Sequence, residues 1–406
     1  MTQLFDAYKF KNNIEVKNRF VKVAMNEALG NFNLQPKRKI INLYRQWAIG
    51  GTGLIITGNV MVDRNNLAEP GNIVVDERSN MSKLRDWAEA AKTNGARVVM
   101  QINHPGKQSP KTMNKKPVAP SAIPIRGDIG IAFNPPRALT HEQVENLAIK
   151  FITTALVAKE AGFDGVEIHA AHGYLINQFL SARDNIRTDE YGGNLENRMR
   201  FLKEVYLGIR KACGEDFIIG VKINSDDYVE GGFNQEESAK VIKKMAELGI
   251  DFIEISGGSY ENPKMSEETD KDNENVFFGE FSKKVKKEIE VPVIVTGGIR
   301  SYESMKKILD DNIADFIGLG RPLAIETDIP NKIANGSYTT VNSNHISTGI
   351  KDLDKKASKI LGIIYYEQMM DNIAKGKEVK QTNNAWPALL HAVRVHGISS
   401  ILPRRV

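Results

Sequence analysis

The sequence predicts an α/β protein built as a single (β/α)8 barrel of the TIM type, and three observations predict it. Eight short apolar runs rich in β-branched residues recur between residues 21 and 322. Amphipathic stretches separate them, several ending near a glycine, as helix C-termini often do. The runs are hydrophobic almost throughout, the pattern of strands buried on both faces of a parallel sheet. Eight strand-then-helix units point to a closed barrel; an open doubly wound sheet is the alternative.

In chain order the runs are VKVAMN at 21–26, GLIITGNV at 53–60, RVVMQINH at 97–104 and GVEIHAA at 165–171. The second four are IIGVKIN at 218–224, FIEISGG at 252–258, PVIVTGG at 292–298 and FIGLGRP at 316–322. MSKLRDWAEAAKTNG, EQVENLAIKFITTALVAKEAG and NQEESAKVIKKMAELG read as helices between them. Residues 105–140 and 259–277 are too long for simple turns. Both follow the C-terminal end of a strand, where barrel active sites are built, so both read as lids over the site, with a disordered surface loop as the alternative for the second. Residues 331–345 read as a polar connection and YYEQMMDNIAKGKE as the closing helix. The barrel domain is thus expected over 1–376, with a tail of unassigned structure over 377–406.

Composition narrows the function classes. Basic residues (55 Lys and Arg) are mixed along the chain with 50 acidic ones, so the net charge of +5 suits anionic small ligands better than nucleic acid. The single cysteine, Cys213, excludes a disulfide framework, a zinc ribbon or a cysteine-held iron–sulfur cluster within this chain. No run of about 18 apolar residues predicts a membrane span. The opening MTQLFDAYKFKNN lacks the apolar stretch of a secretory signal, so a cytoplasmic location is expected. There is no Walker A segment and no strand-flanked G-x-G-x-x-G, which argues against a Rossmann dinucleotide site. A small-molecule substrate is expected; homo-oligomerisation stays open.

The densest polar constellation follows the fourth run: His169, His172, Gly173, Tyr174, Asn177, Gln178 and Phe179. Histidines where a barrel strand ends face its mouth. Two imidazole N–H groups three residues apart in a tight turn can meet at a carbonyl oxygen and stabilise charge growing there. Tyr174 offers a phenol able to deliver a proton. A generic H-x-x-H is more often a pair of satisfied turn residues, and a metal reading would need a further ligand such as His104. Two glycine turns, Thr296–Arg300 and Gly318–Pro322, fall after runs seven and eight, the usual barrel phosphate position. There Gly297, Gly298 and Gly320 would let backbone N–H groups approach an anion, and Arg321 adds a planar cation. Gln101 can donate to and accept from a pyrimidine-like ring edge, and Lys222 can offset negative charge on a reduced cofactor. Ala24, Met25, Asn26 and Gly58 end the first two strands at the same face. Each of these last is, taken alone, more often structural.

The run HAAHGYLINQFLSARDNIRTDEYGGNLENRMRF at 169–201 closely resembles the signature segment of the old yellow enzyme family. The likeness continues in KNRFVKVAM at 17–25, VVMQINHPGK at 98–107, GVKINSDDY at 220–228, IEISGGSYE at 253–261, TGGIR and GLGRP, and covers residues 1 to about 375. It implies a barrel that holds non-covalent FMN, takes electrons from NADH or NADPH, and reduces activated C=C bonds. By that resemblance His169 and His172 hold the substrate's carbonyl oxygen and Tyr174 donates the proton. Gln101 meets the flavin pyrimidine, Ala24, Met25, Asn26 and Gly58 line the ring, and Gly298, Gly320 and Arg321 take the phosphate. Arg187 to Gly193 and Arg198 brace the loop after strand four. Three positions depart from relatives: Lys222 for an arginine, Asn26 for a threonine or cysteine that tunes the flavin, and Ala28 for a tyrosine over the substrate, which implies a more open pocket. The lone cysteine and the chain's extent set it apart from members with an iron–sulfur cluster and a second nucleotide-binding half, and no metal site is expected. Two rival readings are a flavin-free barrel lyase or isomerase on a phosphorylated sugar, and a non-catalytic flavin or ligand sensor.

Overall fold

A computed structural model describes residues 3–266, 276–342 and 344–397. The eight apolar runs form strands β1 (Phe20–Lys22), β2 (Leu54–Ile56), β3 (Arg97–Asn103), β4 (Gly165–Ala170), β5 (Ile218–Asn224), β6 (Phe252–Ser256), β7 (Val293–Thr296) and β8 (Phe316–Leu319). All pair in parallel, and the ring closes where β8 meets β1 (Ile317 opposite Phe20) and β2 meets β3 (Leu54 opposite Arg97). Closure sets aside the open-sheet alternative. Several ladders are shorter than the apolar runs, most of all β2 within 53–60, where pairing breaks after Ile56 and resumes as a two-residue strand, Val60–Met61, beside Ile102 and Asn103 of β3. Helices α1 (Arg38–Ile49), α2 (Met81–Ala91), α3 (His141–Glu160), α4 (Arg200–Cys213), α5 (Gln235–Glu247), α6 (Gly279–Lys286) and α7 (Tyr302–Asp310) follow the first seven strands in turn.

Local chemistry starts these helices where the sequence needs them. Asn80, Asn234 and Ser301 accept hydrogen bonds from backbone N–H groups of the first turns of α2, α5 and α7. Thr140 and Gln143 form a reciprocal capping box on α3, satisfying two otherwise orphaned donors.

Alternation along the strands divides the barrel. Val166 and Ile168 of β4 join the core shared with the helices, whereas Val21, Leu54, Val99, Ile218, Phe252, Ile294 and Phe316 form a separate apolar layer. An N-terminal hairpin (Tyr8–Lys9 with Glu15–Val16) adds Phe10 to that layer, its ring 6.0 Å from Phe316. The barrel is therefore a packed core closed at one end, which leaves the C-terminal strand ends to build a site.

Beyond β8 the chain forms α8 (Lys351–Ala374), which packs on α1 through an ion pair of Lys39 with Asp371 at 2.6 Å. The stretch 377–406, left without structure by the sequence, contains α9 (Trp386–His396), whose Ala388 and Ala392 bury against Leu361 and Tyr365 of α8. Residues 398–406 lie outside the described residues. Among those described, no helix is long and apolar enough to cross a membrane.

Candidate active site

At the strand ends lies a cavity of about 440 Å³, within the ~300–1,000 Å³ of small-molecule sites. It gathers Ala24, Met25, Asn26, Gln101, His169, His172, Tyr174, Lys222, Gly297, Gly298, Gly320 and Arg321. Of the residues assigned to cofactor or substrate, Gly58 does not line it; Gly173, Asn177, Gln178 and Phe179 of the histidine constellation also lie off its wall. The Gly58 N–H is taken by Glu27 and by the Tyr44 hydroxyl, and a Cβ there would meet the Met25 carbonyl at 2.3 Å, so Gly58 packs behind the wall.

The turn after β4 has an unusual backbone that aims its side chains. His172 and Gly173 are both left-handed, at φ 61° and 74°. A non-glycine residue there is strained, and the turn is held by many bonds. Asn224 accepts from the His172 N–H at 3.0 Å, Asn177 from the Gly173 N–H at 2.6 Å, and the Gln108 and Gln178 amides donate to the next two carbonyls. Asn177 and Asn224 both donate to Asp227, whose carboxyl burial pushes up to about 6.

The result is a group of three rings in which His169 lies edge-on to both of the others. His169 lies 5.0 Å from His172 and 4.8 Å from Tyr174, centroid to centroid. The Ala171 N–H donates to His169 Nδ1 at 3.3 Å, so the ring hydrogen sits on Nε2. His172 Nε2 bonds Ser256 Oγ at 2.7 Å, and the Tyr174 hydroxyl bonds that of Tyr260 at 2.8 Å. His104 lies outside this group: burial lowers its pKa to about 4, and its Nδ1 accepts from the Gly106 N–H. Among the described residues no cluster of three or more His, Cys, Asp or Glu could hold a metal ion.

On the β7–β8 side, Gly297 and Gly298 are left-handed at φ 97° and 80°, and Gly320 presents no side chain beside Met25. Arg321 and Arg300 line the same end. Glycine backbone and two guanidinium groups at one end, and the Gln101 amide and Lys222 ammonium at the other, fit a phosphate joined to a polar ring. That is the outline of FMN.

Ser256, Tyr260 and Met265 line the cavity although the sequence did not single them out, and Arg300, which closes the first glycine turn, lines it too. Ser256 ends β6 and the strand-end rule could have found it. Asn344, His345, Ile346, Tyr366 and Met370 come from beyond the last strand, where no pattern announces them. Asn26 faces the cavity, but its amide nitrogen donates to Glu69 at 2.7 Å and Glu367 of α8 at 2.8 Å. The donor it would offer a ring carbonyl is spent on those carboxylates. Ala28 is buried off the cavity wall, so it does not open the pocket. Of the two expected lids, residues 105–140 place no side chain in the cavity; Phe133 packs behind Tyr260 at 6.0 Å. Tyr260 and Met265 of the second reach it, and 267–275 lie outside the described residues. Arg187 donates to the carbonyls of Pro120 and Leu139, and Arg198 binds the Leu180 carbonyl and Glu237, both bracing the loop.

A parallel barrel with glycine turns, an amide, a lysine and paired histidines all lining one cavity at its strand ends has the build of a flavin-dependent oxidoreductase. Residues 3–340 match the model of the NADH:flavin oxidoreductase / NADH oxidase family, and the chain belongs to it. Its cofactor is accordingly FMN, with a nicotinamide nucleotide as electron donor, which sets aside the flavin-free reading. The chain is 35% identical over 396 residues to the NADH-dependent flavin oxidoreductase iliE of Neonectria sp. (strain DH2), covering 89% of this chain and 52% of that one. It is 34% identical over 364 residues to the cinnamate reductase of Clostridium sporogenes, covering 83% and 53%. The chain thus spans about half the length of these two relatives. The solved old yellow enzyme homologue from Zymomonas mobilis superposes with a TM-score of 0.71 at 26% identity, covering 83% of this chain and 94% of that one.

Proposed function

We propose that this protein reduces the activated C=C bond of α,β-unsaturated carbonyl or related compounds, using NADH or NADPH through FMN. The observation that carries this reading is the edge-on grouping of His169, His172 and Tyr174 in the same cavity as the glycine phosphate loops. The name cinnamate reductase, borne by a relative, supports an unsaturated acid or carbonyl compound as substrate class.

FMN, when bound, supplies the two-electron chemistry, and the protein supplies binding, orientation and charge stabilisation. Gly298, Gly320 and Arg321 would hold the phosphate, and Gln101 and Lys222 the pyrimidine edge. His169 donates from Nε2 and His172 from its ring to the carbonyl oxygen of the substrate, where negative charge grows as the alkene is reduced. Tyr174 delivers the proton to the α-carbon, its hydroxyl held in place by Tyr260. Ser256 fixes the His172 ring.

The test begins with the absorption spectrum of the purified protein before and after each nicotinamide. A yellow protein that bleaches anaerobically and recovers its colour on adding an enone supports the reading, with heat-released FMN identified by chromatography. A protein that cannot be loaded with FMN, or that bleaches and reduces no activated alkene, overturns it.

A further inference from the structure

Beneath the cavity, inside the barrel, lie two acids on alternate strands, Glu167 of β4 and Glu254 of β6, both fully buried and neither lining the cavity. A barrel interior is ordinarily filled by branched apolar side chains, as the layer below is here. Carboxyls placed there are costly unless paired or protonated. Both are partnered, and by the two residues assigned above to the ring edge. Gln101 Nε2 donates to Glu167 Oε2 at 2.6 Å, and Lys222 Nζ lies 2.6 Å from Glu254 Oε1. These are register neighbours, Gln101 opposite Glu167 and Lys222 opposite Glu254. Between the two acids β5 offers Gly220 opposite Glu167, so no side chain separates the carboxyls.

Two adjacent buried carboxyls beside one lysine cannot both be ionised. Burial and the facing Glu254 hold the Glu167 carboxyl well above the usual carboxylate range, so Glu167 keeps the proton. The other charges nearby leave that assignment intact. His169 sits one strand step nearer the mouth, opposite Lys222. Lys22, 4.3 Å from the Trp47 ring, is paired with Glu27, which also accepts from the Tyr44 hydroxyl.

We propose that Glu254 and Glu167 are positioning residues of the cofactor site: Glu254 fixes Lys222 and offsets its charge, and Glu167, as a neutral acid, orients the Gln101 amide. The proposal rests on the reading that Gln101 and Lys222 face the cofactor ring. The ring then meets the end of an ion pair, whose field falls off faster than that of a bare cation. Lys222 thus raises the flavin potential less than an unpaired cation would.

The experiment measures FMN content and then the two-electron midpoint potential of FMN-loaded parent, Lys222→Met, Glu254→Gln, the double variant and Glu167→Gln. Lys222→Met is expected to lower the potential and Glu254→Gln to raise it. The double variant, which removes one charge of each sign, returns close to the parent. Glu167→Gln, an uncharged isostere of the protonated acid, keeps the parental potential and FMN affinity, whereas Glu167→Leu frees Gln101 and weakens FMN binding several-fold. If Glu254→Gln does not fold, Glu254→Asp, which draws the carboxylate back from Lys222, must shift the potential the same way. Infrared spectra of the unaltered protein should also show a protonated carboxyl at pH values where ordinary glutamates are already ionised. The proposal is overturned if removing the Glu254 charge leaves the potential unchanged or lower, if Glu167→Gln shifts it as far as Glu254→Gln does, or if that carboxyl band is absent. A parent that takes up no FMN overturns the assignment of the site itself, and shows this before any potential is measured.

Discussion

The two halves of the cavity are built differently. One half is strand-borne: Gln101, His169, Lys222, Thr296 and Gly318 stand on or at the ends of ladders whose backbone is fully paired. The other is carried by the segment after β8, with His345, Ile346, Tyr366 and Met370 reaching in from α8 and its approach. The first half is fixed by backbone hydrogen bonds to neighbouring strands. The second is fixed by side chains: Lys39 on Asp371, and Asn26 bridging Glu69 and Glu367. Groups that must meet a reacting atom within a few tenths of an ångström belong on the rigid half. The helix-borne half can then shape the space without carrying chemistry.

The largest expected effects test that division directly. Tyr174→Phe should slow enone reduction by roughly 10²–10⁴, the range for a lost general acid, while leaving flavin reduction by nicotinamide and the reduction of quinones, which need no carbon protonation, near parental rates. His169→Ala or His172→Ala should cost ~2.7–4 kcal/mol in the oxidative half-reaction, because each removes a donor from a developing oxyanion. On the helix-borne half, Tyr366→Phe should change KM more than kcat. Stopped-flow traces of both half-reactions decide the matter. A Tyr366→Phe variant as slow as Tyr174→Phe would end the division of labour.

A second expectation concerns the footing of the rigid half. His104, at the end of β3, is fully buried and held neutral, its pKa lowered to about 4 chiefly by burial. On unfolding it returns to about 6.5, so between these values the unfolded chain binds more protons than the native one, and stability falls as the pH falls. About 2.5 units at ~1.4 kcal/mol each gives on the order of 3 kcal/mol, lost between about pH 6.5 and 4. Urea melts across that window should show the loss, and His104→Gln should flatten it. An equal slope in the variant would assign the acid sensitivity elsewhere.

Asn26 joins the halves, and its removal should act on stability before catalysis. Asn26→Leu takes one donor from each of two buried carboxylates, a loss of about 1–3 kcal/mol. Thermal melts should fall accordingly, with kcat changed far less. The smallest effect is expected at Gly297. Alanine there would be left-handed, which costs ~1–2 kcal/mol, with its Cβ 3.0 Å from the Phe277 ring. Faster FMN release on dilution, at unchanged half-reaction rates, is the expected signature.

Much of the strand-borne half was legible in the sequence. Apolar runs of six to eight residues announce buried parallel strands, and residues ending such runs fall at the barrel mouth wherever the intervening loops go. That rule placed Gln101, His169, His172, Tyr174, Lys222 and the glycine turns on one cavity. It erred at Gly58, because which side chain of a strand end turns inward depends on neighbours, here Glu27 and Tyr44.

What the sequence determined by itself is periodicity and position: eight strands, their order, and the polar residues at their ends. Only the tertiary structure decided the rest. The Asn26 amide was diverted to α8 by Glu367, 341 residues away. Lys222 was met by Glu254 across one ladder step, and the helix after β8 was brought over the mouth. The physical reason is one of range. Strand and helix patterns are set by neighbours a few residues apart. An ion pair, a carboxyl that keeps its proton or a cavity wall depends on distances that exist only once the ring has closed.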